Sequence, residues 1–295
     1  MYKNIAANKR NTVLIMIGFI LLIAAIGGAF AYYYQDYTIA LVVLFFATIY
    51  ALFQYFAASR LATAMTGAKK IIKKDNPRLC NIVENLTLTA GLPMPEVYVI
   101  DDPAPNAFAS GRSPEHALVC ATTGLLSIMD DKELTAVMAH EVSHIKNYDI
   151  RVSTIVFGLV CLVGFIADIG WRMVRYSGRR SSKGSDNSSP IGLIIVLITS
   201  IIAPLAASLA QMAVSREREY LADSSAVLIT RYPEGMISAL KKLEEHSRPM
   251  RQQNPATEAM FIANPLKAKS FTNLFSTHPP IEKRIERLEN GKTKF

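Results

Sequence analysis

Four stretches of almost unbroken apolar sequence restrict the folds open to this chain more than any other feature. They run from about 13 to 31, 38 to 58, 152 to 171 and 191 to 214. Each is close to the ~20 residues that a helix needs to cross ~30 Å of hydrocarbon. The 51% hydrophobic content is therefore gathered into membrane-length blocks, not spread as a soluble core would be. An integral membrane protein with four hydrophobic helices is expected.

The flanks of the first two blocks set an orientation. Lys3, Lys9 and Arg10 precede the first, and Arg60, Lys69, Lys70, Lys73, Lys74 and Arg78 follow the second. The connector Tyr32–Tyr37 carries only Asp36 as a charge. Basic flanks stay on the cytoplasmic side, so the connector faces out, with its tyrosines at the interface. Ala29-Phe30-Ala31 has the small-residue pattern of a signal-peptide cleavage site. The apolar core is long for a signal peptide and a second span follows after six residues, so a retained helix is expected.

The second pair of blocks conflicts with this rule. The loop 172–189 holds Arg172, Arg175, Arg179, Arg180 and Lys183 against Asp186. If both blocks span, that basic loop lies outside. Either the first hairpin dominates orientation or the second pair is shallow; spanning is the reading adopted. The net charge of +8 is thus read as topology-setting, and no aromatic-interleaved basic patch points to nucleic acid. Cys80, Cys120 and Cys161 have no spacing that fits a disulfide framework or a thiolate metal site.

Between and after the blocks the chain reads as soluble. Asn76-Pro77 opens a helix with Leu79, Ile82, Val83 and Leu86 on one face. Residues 96–101 alternate as a strand, and 106–110 with 117–121 read as a hairpin around Gly111–Pro114. Asp130 with Glu133 forms a capping box. Leu134, Val137, Met138 and Ile145 then mark a helical stripe. Residues 233–246 and 280–290 read as helices, and 248–277 as loop. The expected organisation is a transmembrane hairpin (1–58), a first catalytic part (59–151), a second hydrophobic hairpin (152–214) and a second catalytic part (215–295). The fold class is mainly α with a small β-sheet, an α+β arrangement.

The chemistry begins in the helix after Asp130. His140-Glu141-Val142-Ser143-His144 puts two imidazoles one turn apart on one face. That spacing suits two ligands of a tetrahedral zinc. Glu141, beside the first ligand, can reach a water at the open position and take its proton. HExxH arises by chance in a chain of this length at roughly the one-percent level. The extended pattern ending in a third histidine is excluded, because Asn147 and Ile150 occupy its glycine and histidine positions. The third ligand is instead sought in SREREYLAD, residues 215–223. Glu219 and Asp223 share a helical face there. Glu219 can complete the metal site while Asp223 accepts the free ring N–H of a ligand histidine.

Taken together, HExxH, a hydrophobic hairpin and Glu219-Tyr220-Leu221-Ala222-Asp223 resemble the HtpX family of membrane zinc metalloproteases. These are relatives of the CAAX prenyl protease. The resemblance spans almost the whole chain. It implies a zincin-like fold of the gluzincin type and one zinc per chain on His140, His144 and Glu219. Glu141 is the implied general base and Asp223 the supporting aspartate. It also implies that Asn106-Ala107-Phe108-Ala109 is an exposed edge strand beside the substrate. His278, with Arg284 six residues later, is implied to point at the site, where the pair could stabilise an oxyanion. The implied substrates are membrane proteins or peptides, with self-cleavage as one outcome. The implied setting is the bacterial inner membrane, with the site facing the cytoplasm and a role in quality control. Two alternatives stay open: a metal-binding membrane scaffold without catalysis, against which Glu141 speaks, and a prenyl-protein protease, against which the small number of apolar blocks speaks.

Overall fold

The computed structural model describes residues 2–180, 216–253, 257, 260–263 and 279–291. Two long helices lead the chain: α1 over Tyr2–Tyr34 and α2 over Tyr37–Thr66. Asp36 caps α2 by accepting from the Thr38 N–H, and Gly67 ends it in the left-handed conformation. Both helices are long and apolar enough to cross a membrane, over Ile5–Gly28 and Tyr37–Thr66. Leu14, Leu21, Phe45, Phe46 and Phe53 face outward from them, as lipid-facing residues do.

Each helix outruns the apolar block that predicted it. Lys3, Lys9 and Arg10 lie on α1, not before it. The last turns of α2 bury Ala58, Ala62, Thr63 and Thr66, and Ala62 packs with Phe108, Leu118 and Cys120. The same rod therefore serves as membrane helix at one end and as core helix at the other.

The next element, β1 over Lys69–Ile71, was not expected. Its two lysines read in sequence as a topological signal. They also suit an exposed edge strand, where charge deters further pairing. Then follow α3 (Pro77–Ala90), β2 (Glu96–Ile100), β3 (Ala107–Gly111) and β4 (Ala117–Thr122). The sheet order is β1-β2-β4-β3. β2 and β4 run parallel; the outer pairs are antiparallel. Ala107 opposite Ala121 sets the register of the expected hairpin. Gly111 closes β3 at φ +146, where a side chain is strained.

A short α4 (Thr123–Ile128) leads into α5 (Asp131–Lys146). The Asp130–Glu133 capping box is formed in both directions. Leu134, Val137, Met138 and Ile145 are all buried, and so are Ala136, Ala139 and Val142 on the other faces. α5 is therefore the central helix of the soluble part. α3 and the strands β3 and β4 pack around it, and so do two later helices, α7 (Arg216–Thr230) and α8 (Pro233–Glu245). A last helix, α9 (Ile281–Gly291), packs on α7 and α8.

α6 runs over Asp149–Arg180. It contains the third apolar block and begins three residues before it. It also extends through Arg172, Arg175, Arg179 and Arg180, so the first half of the expected basic loop is helical. Val152, Ile155, Val156 and Leu159 pack against Ile15 and Phe19 of α1. The fourth apolar block, 191–214, and the rest of the basic loop lie outside the described residues.

Candidate metal centre

α5 and α7 meet side by side, and their contact brings together residues 75 or more positions apart. Among the described residues, His140, His144 and Glu219 offer ligand atoms that all lie within 4.8 Å of one another. The two Nε2 atoms are 3.1 Å apart. His140 Nε2 lies 3.5 Å from Glu219 Oε2, and His144 Nε2 lies 3.5 Å from Glu219 Oε1. Four ligands at zinc–nitrogen bond lengths of ~2.0–2.1 Å stand ~3.3 Å from each other at the corners of a tetrahedron. The observed donor spacings match that figure from both sides.

The far nitrogen of each ring is also engaged. His140 Nδ1 faces Asp223 Oδ1 at 2.9 Å. His144 Nδ1 faces Asp149 Oδ2 at 3.0 Å. A carboxylate on Nδ1 fixes the proton there and leaves the Nε2 lone pair free. Two such lone pairs aimed at one point 3.1 Å apart are unfavourable unless a shared cation or proton lies between them. The donor set thus fits a zinc-sized cation.

Asp223 is in turn gripped by Arg284 of α9. Arg284 Nη2 meets Asp223 Oδ1 at 2.6 Å, and Nε meets Oδ2 at 2.8 Å. Arg284 is 1% exposed, and its Nη2 stands 3.4 Å from His140 Nδ1. The guanidinium therefore sits behind His140, on the side away from Nε2. The expectation that Arg284 aids an oxyanion at the open position does not survive this placement, because Asp223 has claimed its fork. His278 lies outside the described residues.

Electrostatics follow from burial and these partners. Burial alone would depress the His140 pKa, but the bonds to Asp223 and Glu219 override it and raise it to about 9 in the metal-free site. His144 is raised too: burial opposes the charge, while Asp149 and Glu219 favour it. Burial would push Asp223 up; the Arg284 charge and hydrogen bonds hold it at about 2 instead. Glu141 is 2% exposed. Burial pushes its carboxyl upward, and the neighbouring histidines pull against that. A carboxylate with a raised pKa, next to a ligand histidine, is suited to take up and return a proton.

Asn106–Ala109 is placed otherwise than expected. β3 is the edge strand of the sheet, yet Ala107, Phe108, Ala109, Ser110 and Gly111 are all buried. The chain covers its own edge. The Ile262 N–H donates to the Ala107 carbonyl at 2.9 Å, and Phe108 bridges to Phe261. Asn106 donates Nδ2 to the Ala263 carbonyl at 2.9 Å and accepts the Ala263 N–H at 3.2 Å. At the other end, Thr154 of α6 receives the Gly111 N–H. An unpaired edge needs partners for its backbone groups. Here residues 260–263 supply them, so the open peptide-binding edge is corrected to a covered one. Asn106 holds the cover in place.

One functional residue escaped the sequence reading. Asp149 lies five residues after His144, beyond the end of α5. The only signal was an acidic residue soon after a ligand-bearing helix.

An HExxH pair joined to a glutamate from a second helix, in a chain led by two helices long enough and apolar enough to cross a membrane, is the arrangement of a membrane-associated metalloprotease. Residues 73–292 match the profile of Peptidase family M48, and the chain belongs to that family. Its relatives include a protein described as "Protease HtpX homolog" from Tropheryma whipplei (strain Twist). The two are 52% identical over 295 residues, covering all of both chains. A protein of the same description from Ligilactobacillus salivarius is 45% identical over 294 residues, covering 98% of this chain and 99% of that one. Among solved structures, the crystal structure of S. mikatae Ste24p aligns with a TM-score of 0.50 at 18% identity. It covers 98% of this chain and 67% of the other. That likeness concerns the fold.

Proposed function

We propose that the chain is a zinc-dependent endopeptidase that hydrolyses peptide bonds of membrane proteins at the cytoplasmic face of a bacterial inner membrane, in the service of quality control. The observation that carries the reading is the convergence of His140, His144 and Glu219 at tetrahedral spacing, with Glu141 buried beside them. Zinc held there supplies Lewis acidity, which lowers the pKa of water toward ~7 and polarises a carbonyl.

The protein's own groups do the rest. Glu141 takes the proton of the attacking water and later delivers it to the leaving nitrogen. Asp223 and Asp149 keep the two imidazoles in the tautomer that leaves Nε2 free. Arg284 is a positioning residue, because it acts through Asp223. His278 is assigned as a donor to the developing oxyanion, on the resemblance alone; removing such a donor commonly costs ~10²–10³ in turnover. The burial of Glu219 and His140 keeps water from competing for the ligands.

Location follows from charge. The basic start of α1 and the lysines of β1 and the turn after it flank the apolar hairpin at one end. Lys/Arg-rich flanks favour the cytoplasmic side. Their common end with the soluble part supports the cytoplasmic reading of the site.

The test is zinc stripping and restoration on full-length protein in detergent, with casein as an unstructured substrate and self-cleavage as a second readout. Activity should vanish with chelator and return with one zinc per chain. Glu141→Gln should bind zinc as tightly as the parent and cleave neither substrate. A Glu141→Gln protein with full activity would remove the proposed base from the reaction.

A further inference from the structure

The carboxylate that orients His144 is itself held by a residue 141 positions away. Asn8, in the second turn of α1, is buried. Its Nδ2 donates to Asp149 Oδ1 at 2.6 Å and to the Asn147 carbonyl at 2.9 Å. Asn147 is the C-cap of α5, and Asp149 is the first residue of α6. Between them Tyr148 adopts φ +60, a backbone state that is uncommon for a bulky residue. Lys9 lies over the Tyr148 ring at 4.5 Å, and Arg151 lies 5.0 Å from the same ring. Arg218, the neighbour of Glu219, completes the group: its Nη1 lies 3.5 Å from Asn8 Oδ1 and 3.9 Å from Asp149 Oδ1.

Seating α1 on α6 does not require this arrangement. Ile15 and Phe19 already pack against Val152, Ile155, Val156 and Leu159. A buried amide without partners is costly, and Asn8 finds its partners in the Asn147 carbonyl, the Asp149 carboxylate and Arg218. The amide makes its shorter bond to the one oxygen of Asp149 that His144 does not use. Asp149 Oδ2 takes the His144 ring and Oδ1 takes Asn8, so the carboxylate plane is fixed from two sides. That plane sets the direction of the His144 ring and hence of its Nε2.

We propose that Asn8 is a positioning residue for the metal centre, acting on His144 through Asp149, so that the N-terminal membrane helix is part of the scaffold of the site. The inference rests on the zinc reading above. It makes metal affinity depend on how α1 is seated, which neither HExxH nor the third ligand requires.

Zinc affinity of full-length protein in detergent, measured by chelator competition, tests it. The set comprises the parent, Asn8→Ala, Asp149→Ala, the double variant and Ile15→Ala. Loss of groups supporting a ligand histidine typically weakens metal binding about 10- to 100-fold. Asn8→Ala is expected in that range, with little further loss when added to Asp149→Ala. Ile15→Ala, which loosens the same helix away from Asp149, should lower the thermal midpoint and leave zinc affinity within about twofold of the parent. Asn8→Asp, equal in size but lacking the donor, should weaken zinc at least as much as Asn8→Ala and guards against misfolding of the alanine variant. The visible spectrum of the cobalt(II)-substituted protein should shift in both Asn8 variants and stay unchanged in Ile15→Ala. Parent-like affinity in both Asn8 variants would overturn the inference. So would a full Asn8 effect in the Asp149→Ala background, or an equal loss in Ile15→Ala. A parent protein that binds no zinc would overturn the metalloprotease reading itself, a different result from zinc that binds and ignores Asn8.

Discussion

Asp223 shows how much one carboxylate settles here. It takes the ring of His140 on one side and the fork of Arg284 on the other, all three nearly sealed from water. Removing one partner of a buried ion pair leaves the other uncompensated, at about 3–5 kcal/mol. Asp223→Ala should therefore lose stability on that scale in denaturant unfolding and weaken zinc about 10- to 100-fold. Its pKa of about 2 lies below the ordinary 3.8. The stabilisation, on the order of 2 kcal/mol, is thus fully present above about pH 4 and lost as pH falls toward 2. His140 runs the other way. Its metal-free pKa of about 9 lies above 6.5, so below pH 9 zinc must displace a proton from it. Zinc affinity should fall at least tenfold for each unit of pH below about 9, and more steeply where His144, whose pKa is also raised, takes up its own proton, measured by competition titration across pH 6–9. His140 with His144, and Glu219 with Asp223, were legible as pairs because helical spacing puts each pair on one face; that the two pairs meet is not contained in spacing and came from the resemblance. Asp149 was not, since a left-handed turn at Tyr148 separates it from the helix it serves. The position of Arg284 behind His140 was equally hidden, because spacing from His278 says nothing about which side of a ring a guanidinium reaches.

At the scale of elements, caps and alternation carried most of the information. Asn76 before Pro77 and the Asp130–Glu133 box mark helix starts that the structure reproduces. Glu133 also binds Lys242 at 2.7 Å and Ser238 at 2.6 Å on α8, a link that no local pattern contains. β1 was missed because three residues with two lysines carry no strand signal of their own; pairing with β2 makes the strand. The cover on β3 was missed for a related reason. Residues 260–263 have no periodicity and gain order only from the edge they close. The turn between β3 and β4 gives a direct check of this part of the fold. A Cβ on Gly111 would stand 2.5 Å from the His116 carbonyl oxygen, at a φ of +146. Gly111→Ala should destabilise the protein by about 1–3 kcal/mol, read from thermal unfolding at saturating zinc to keep the metal term constant.

For the molecule as a whole, the apolar hairpin does two jobs. Its outward faces match a lipid environment, while the ends of α1 and α2 descend into the soluble core, next to α6 and the sheet. Hydropathy made the hairpin legible but drew both helices too short: α1 begins before its apolar block, and α2 runs past its own because alanine and threonine at its foot signal neither membrane nor core. The catalytic assembly is likewise non-local: α5 precedes the second hydrophobic region and α7 follows it, and one cation is assigned to both. X-ray absorption at the zinc edge of the loaded full-length protein tests that assignment most directly. The account predicts only nitrogen and oxygen neighbours at about 2.0–2.2 Å, with the outer-shell signature of two imidazoles, and loss of an oxygen neighbour or of the zinc itself in Glu219→Ala. A sulfur shell at about 2.3 Å, or a spectrum that Glu219→Ala leaves unchanged, would contradict it.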